Sequence, residues 1–542
     1  MFATLYTPFQ RLFSYTKVSQ QLDPLARANL RNNLWAAFFE GVFMGGALNL
    51  LPYVAKKFAN ASDLEVEWLF KISAIGMASA VFVPMLLRGL GKVRQRVVLL
   101  TLRNIVVLML PVAYLLTVHG GAVGEVSAGS DFNFWLMAIT LAAAALSIAP
   151  VTSVAGLSME MYPDSHRMQC VGCVSQVQII SVVGANALVS RLLDISPSSF
   201  WWLFPLLTLP SFIGHFRFFA RLRSPVEESG QIRFLSFTLF DILRGPLRNR
   251  RFWLYQLVFA LGGLPNLMAM PLYLILISGR QTLYLNYMLI GTISVTVPAI
   301  ATMLTVSGWA RVLDRWPNPF VGRGLLMVVW TLHPFTYAVA ALLMACMGPA
   351  AAAQSSWMLG LLLFSGFLAG TLNAGGSLNW LLGSTYFAPS GEAAMYSGAH
   401  MVFNATRAFF GPMLGMGLYV IFNRRMAAAP WQVNLFGHAF AVATGFLPLF
   451  LIATGMMAAA AVFQFVLRWH YGPMPLPAQI VSTDPERRSE PLSSVTGGGL
   501  PVNGAVPAVT SDAADAQPGL DADAARPSRR LAPLPLSPGG SQ

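Results

Sequence analysis

Two ionisable residues lie deep inside apolar stretches of this 542-residue sequence: Glu40 in FFEGVFMGG and Arg407 in FNATRAFFGP. A charged group surrounded by hydrocarbon is costly, so each is a candidate for function by default. A carboxylate at Glu40 can take up and release a proton. It can equally sit near a helix end, hydrogen-bonded to Asn32, Asn33 or backbone. An arginine does not shed its charge, so Arg407 calls for a carboxylate, carbonyls or water. It reads either as an anion-binding group or as a structural link between helices. Counted from Asn33, Glu40 lies about 10 Å along its helix, and Arg407 lies roughly 21 Å from Ala393, which disfavours direct pairing.

Gly366, Gly370, Asn373, Ser377, Trp380 and Ser384 recur at intervals of three or four and share one helix face. The glycines suit close helix packing. Asn373, Ser377 and Trp380 suit the lining of a cavity, with room for a solute and groups to orient it. Asn49 and Asn266, with Gln176 and Gln178, are further polar groups in apolar runs; each is more often an interhelical hydrogen bond than a ligand contact. His333 reads as structural, and His400 lies two turns before Arg407. Cys170-Val-Gly-Cys173 matches C-x-x-C but has no second ligand pair, so two small apolar residues is the stronger reading. H-E-x-x-H, G-x-S-x-G and the phosphate-cradling G-x-x-x-x-G-K-[ST] do not occur. The sequence therefore calls for no metal, no cofactor and no ATP-driven chemistry.

These residues must be positioned by helices in lipid. The chain is 55% hydrophobic and 11% charged, with a mean hydropathy of +0.59. A soluble domain carries about 25% charged residues. Segments at roughly 33–55, 67–88, 97–118, 133–159, 167–192, 198–220, 252–278, 283–306, 322–346, 355–386, 393–422 and 436–468 are each apolar enough to cross a bilayer, which takes about 20 residues. Runs this long are helices, because only helices or closed barrels satisfy the backbone in hydrocarbon. The net charge of +13 falls mostly on one set of connections, from Arg11 and Lys17 through Arg88, Lys92, Arg94 and Arg96 to Arg248, Arg250, Arg251, Arg311 and Arg315. The opposite connections hold Lys56, Lys57, Arg191, Arg280, Arg424 and Arg425. That asymmetry places both termini in the cytoplasm and removes nucleic acid as a partner.

The segments divide six and six. A cytoplasmic tail (1–32) precedes a first bundle (33–220); a connection (221–251), whose FLSFTLFDILRGPLRNRRF could lie at the interface, leads to a second bundle (252–470). The Pro-, Ser-, Gly- and Ala-rich segment 471–542 reads as a disordered cytoplasmic tail. The halves echo each other. Trp35 precedes Gly45 by the spacing at which Trp253 precedes Gly263, and Pro163 precedes Gly172 as Pro389 precedes Gly398. Internal repeats of this kind are typical of secondary transporters.

The stretch GWARVLDRWPNPFVGR, with Gly308, Asp314, Arg315 and Arg323, resembles the cytoplasmic signature loop of the major facilitator superfamily. The matching stretch of the first half, LLRGLGKVRQRVVLL, keeps Arg88, Gly91 and Arg94 but has Leu87 where an acidic residue is expected. PLRNRRFWLYQL and Gly411-Pro412 add to the resemblance, which spans about residues 30–470. It implies an all-α membrane protein with twelve transmembrane helices in two pseudo-symmetric six-helix bundles. It further implies that Gly308, Asp314, Arg315, Arg323, Arg88 and Arg94 belong to loops that latch one conformational state. Drug/proton exchangers of that family carry Gly-Pro in helix five, whereas this helix reads VVGANALV. The resulting expectation is a monomeric secondary transporter, not an enzyme, in a bacterial inner membrane. It moves a small solute by alternating access, coupled to a proton or another ion, with Glu40 the coupling carboxylate that helix one of the family often carries. A transport-inactive receptor on the same fold and a membrane enzyme acting on lipid-linked substrates are the rival readings.

Overall fold

The computed structural model describes residues 19–87, 90–118, 130–150, 157–158, 160–163, 166–224, 246–315, 318–382, 387, 393–435 and 438–472. Where helices begin, short polar side chains cap them. Asp23 accepts from Ala26 N at 2.8 Å ahead of Pro24. Asn249 accepts from Arg251 N and Phe252 N, and Asn286 from Leu289 N. Asn318 accepts from Phe320 N at 2.9 Å, just before Pro319. Such caps satisfy amide groups that have no partner within the helix.

The helices are α1 (Pro24–Lys57), α2 (Asp63–Leu86), α3 (Lys92–Thr117), α4 (Ser130–Ile148), α5 (Arg167–Ile195), α6 (Pro197–Arg221), α7 (Arg250–Ser278), α8 (Tyr287–Leu313), α9 (Pro319–Met347), α10 (Ser356–Leu382), α11 (Ala393–Ala428) and α12 (Phe446–Tyr471). Among the described residues, 10 helices are long and apolar enough to cross a membrane. Helices α2 and α4 occupy the places of the other two expected segments. The chain is an integral, multi-pass membrane protein. Trp202, Leu206, Leu304, Phe367 and Trp469 are all exposed, as helices facing lipid require.

Packing repeats in the two halves. Helix α1 lies against α5 and α6, α2 against α4, and α3 against α4 and α6; in the second half α7 lies against α11 and α12, α8 against α10, and α9 against α10 and α12. Across the middle, α2 meets α11 and α5 meets α8. The two cross-contacts exchange under the same correspondence, so the bundles are related by a pseudo-two-fold axis. Glycine sets the closest approaches. A Cβ at Gly45 would overlap the Val182 carbonyl of α5, and one at Gly415 the Met268 carbonyl of α7. Gly366 and Gly370 likewise face the α8 carbonyls of Ile293 and Pro298, the packing role expected for them.

Four details depart from the sequence reading. Helix α1 begins at Pro24, so residues 24–32 are helix rather than tail, and Glu40 lies about 24 Å along it rather than 10. The expected span at 436–468 starts late: Trp431–Leu435 and His438–Val442 pair as an antiparallel hairpin, and α12 begins at Phe446. The alternating WQVNL and HAFAV, broken by Gly437, favour paired strands over a helix. The expected connection at 308–323 is mostly helical, since the helix carries on two residues past the α8 span, to Arg315, and α9 starts at Pro319. Finally, α11 runs on to Ala428, past the expected 422. Residues 1–18, 225–245 and 473–542, which hold the first part of the N-terminal tail, most of the proposed interfacial segment and nearly all of the C-terminal tail, lie outside the described residues.

Candidate functional site

Among the described residues three helices contain a π-helical turn, and each of these turns falls at or beside a polar site. Helix α1 has a π-helical turn at Met44–Leu48, α8 at Thr292–Thr296 and α6 at Gly214–Phe218. Single π turns inside α-helices recur at functional positions because they release backbone groups and redirect side chains.

The first two π turns border a cavity of about 300 Å³ between the bundles. Asn49 and Tyr53 of α1 and Val182 of α5 line one side; Ser294, Pro298 and Thr302 of α8 and Asn373 of α10 line the other. The walls thus come from both bundles, and the polar groups are amides and hydroxyls. Thr302 already donates to the Gly370 and Pro298 carbonyls at 2.9 and 2.8 Å. No charged side chain is among the described lining residues.

At one end of this cavity the bundles are joined. Asp194, in the last turn of α5, accepts from Tyr287 N at 2.6 Å and Met288 N at 2.9 Å, at the start of α8. A carboxylate there meets unsatisfied amides and the positive end of the helix dipole. Lys57 at the end of α1 lies 4.4 Å from the Tyr287 ring centroid and 5.0 Å from that of Tyr284. Asn186 of α5 donates to Thr296 of α8 at 3.1 Å. Elsewhere between the bundles, the buried pair Glu67 and Lys71 of α2 lies against α11, with Lys71 Nζ 5.8 Å from the Phe409 centroid.

The third π turn belongs to a network within the first bundle. Glu40 is 5% exposed and pairs with Arg103 of α3, itself 0% exposed. The contact is bidentate: Nη1 of Arg103 donates to Oε1, and Nη2 donates to Oε2 at 2.8 Å. Ser211 of α6 donates to Glu40 Oε2 at 3.1 Å, and His215 Nε2 lies 3.3 Å from the same oxygen. Arg103 also donates to Asn104 and Ser211, and its guanidinium stacks on Phe43 at 4.3 Å. A fork-on-fork pair with filled hydrogen bonds is the arrangement that offsets the desolvation of two buried charges. The partners foreseen for Glu40, Asn32 and Asn33, are not among these contacts; Asn33 donates to the Tyr162 hydroxyl.

The remaining candidates are dispersed. Arg407 of α11 donates to the Phe259 carbonyl at 3.1 Å and to Asn404 at 2.8 Å. Arg323, expected in a surface latch, is 1% exposed inside the second bundle, 3.3 Å from Asn379 of α10. Gly308 faces open space on α8, and Arg94 is exposed at the start of α3. Ser377 caps the Ala374 carbonyl of its own helix at 3.0 Å, and Asn266 is half-buried in α7. Arg88 and the side chains of Asp314, Arg315 and Trp380 lie outside the described residues. Cys170 and Cys173 are buried free thiols, and among the described residues no group of His, Cys, Asp and Glu is placed to hold a metal. The sequence reading passed over Arg103, although LLTLRNIVVLML meets the same criterion that singled out Arg407.

No protein-family model matches the chain, and no curated protein sequence does. Solved structures do. A point mutant of the nucleoside transporter NupG superposes with a TM-score of 0.54 at 13% identity, over 81% of this chain and 99% of that one. A POT family transporter in complex with a thioalcohol-conjugated peptide gives 0.57 at 10%, over 83% and 99%. A bacterial homologue of the human lysosomal transporter Spinster, inward-facing and unoccupied, gives 0.51 at 14%, over 82% and 97%. The agreement covers nearly the whole of each transporter, and with the exchange-related bundles it establishes that this chain has the fold of the major facilitator superfamily.

Proposed function

We propose that the protein is a secondary active transporter that carries a small solute through the cavity between its bundles by alternating access. The observation that carries this reading is that cavity: it is walled by α1 and α5 on one side and α8 and α10 on the other, so rocking one bundle against the other exposes the same groups to either face. Solved structures that share the fold are named as a nucleoside transporter and a peptide transporter, which supports the class and leaves the solute open. Asn49 and Asn373 orient the solute from opposite bundles, with Tyr53, Ser294 and Thr302 beside them. The contacts of Asp194 and Lys57 close one end of the pathway, and the Asp314–Arg315 region acts at the other. The membrane is a bacterial inner membrane, with both termini in the cytoplasm, following the distribution of Lys and Arg.

Coupling is to protons, through Glu40. In the closed network Glu40 and Arg103 cancel, and His215 stands beside them as a second proton acceptor. One added proton leaves the buried cluster with a net positive charge, with Arg96 on the same helix as Arg103 raising the cost further. That state is tolerated only when α1, α3 and α6 shift enough to admit water. Proton occupancy therefore biases the conformational equilibrium. The test is uptake into proteoliposomes of a solute found by thermal stabilisation of the purified protein, with and without an imposed pH gradient. Glu40→Gln should abolish accumulation driven by the gradient while exchange continues. Accumulation equal to the parent's would withdraw proton coupling through Glu40; an absence of any solute flux through the parent would withdraw the transporter reading itself.

A further inference from the structure

The two bundles treat their buried charges differently. In the first, Glu40 meets Arg103 and Glu67 meets Lys71. In the second, Arg323 and Arg407 both approach one ring, that of Phe259, with guanidinium carbons 3.8 and 4.1 Å from its centroid. Neither has a carboxylate partner among the described residues. Among the described residues Arg323 has, beyond Phe259, the long contacts to Asn379 Oδ1 and a second ring, Tyr255, at 4.7 Å. Cation–π contacts and amide oxygens compensate a buried cation only in part.

The hydrogen bonds left unmade around Phe259 are nearly all of one sense. Arg323 Nη1, Arg407 Nε, Asn404 Nδ2 and Gln256 Nε2 are buried donors without an acceptor among the described residues. The orientation of Asn404 is fixed, because its Oδ1 accepts from a guanidinium that can only donate. A cluster of orphan donors beside two fixed positive charges lacks acceptor oxygens and negative charge together. The backbone makes room for it: a Cβ at Gly263 would overlap Arg407 Nη1, so only glycine at this point of α7 lets the guanidinium lie against the helix.

We propose that Arg323 and Arg407 form an oxoanion subsite that takes a carboxylate or phosphate group, with Asn404 and Gln256 as additional donors. Resting on the transporter reading, the solute is then an organic or inorganic anion whose charged group the two arginines hold.

The experiment is thermal unfolding of the purified full chain in detergent, titrated with inorganic phosphate and, separately, succinate at constant ionic strength. The parent should show a saturable rise in Tm with at least one of them. Arg407→Gln and Arg323→Gln should each raise the apparent Kd about tenfold or more, as loss of charge-assisted hydrogen bonds implies. Gly263→Ala keeps every charge and displaces the guanidinium, so it should weaken binding in the same direction, and Arg407→Lys serves if the glutamine variant does not fold. No saturable rise with either anion, or an equal rise in the Gly263→Ala and arginine variants, overturns the subsite. Radiolabelled phosphate uptake into proteoliposomes then identifies the source. Uptake that Arg407→Lys reduces makes free phosphate the solute, and binding without uptake assigns the site to the anionic group of a larger solute. The binding measurement involves no transport, so its failure leaves the transporter reading standing, and the reverse holds too.

Discussion

Replacing Arg103 by methionine tests whether the Glu40 network is a matched ion pair. Arg103 is fully buried and gives Glu40 two of its hydrogen bonds, so the substitution strands a carboxylate with only Ser211 and His215 as partners. Breaking one side of a buried pair costs about 3–5 kcal/mol. For a bundle of this size a kcal/mol moves Tm by roughly 2–4 °C, so the expected fall is about 6–20 °C. The double variant Glu40→Gln/Arg103→Met removes both charges and keeps similar volumes. Because replacing a whole buried pair by neutral groups is often neutral or stabilising, it should recover most of the loss. The assay is thermal unfolding in detergent of the parent, both single variants and the double, read as a cycle. A double variant as unstable as the sum of the singles would refute the reasoning, because the two charges would then act independently.

Two further expectations concern the helix contacts. Asp194→Ala removes the carboxylate that caps α8 from the opposite bundle; it should loosen that end of the pathway, seen as at least a severalfold faster maleimide reaction of a cysteine placed at Ser294, and an unchanged rate would remove Asp194 from the closure. Gly45→Leu sets a side chain against the α5 backbone at Val182; overpacking of this kind costs about 1–3 kcal/mol, so a Tm fall of several degrees is expected, and an unchanged Tm would mean that α1 and α5 separate freely there.

What the sequence determined by itself is the part of the structure that depends on near neighbours in the chain. Apolar runs of membrane length must be helices, whatever packs beside them, and Asp23, Asn286 and Asn318 start them where a short polar side chain can cap an amide. The repeat of Trp and Gly spacings between the halves already implied a two-bundle layout, and the Gly366–Gly370 spacing implied close packing. Local pattern also misled in places. WQVNLFGHAFAV is apolar enough to read as part of a span, yet its alternation suits a hairpin. The polar partnerships were decided only by the tertiary structure. Glu40 finds Arg103, Ser211 and His215 from 63 to 175 positions away because α1, α3 and α6 converge, and no spacing rule encodes that convergence. Arg323 looks in sequence like part of a charged surface loop. Because α9 begins at Pro319, the residue turns inward instead, onto the ring of Phe259 that Arg407 also approaches. Side-chain burial depends on which helix face meets a neighbour, and that is fixed by the rotation of whole helices, a property of the packed bundle rather than of any segment within it.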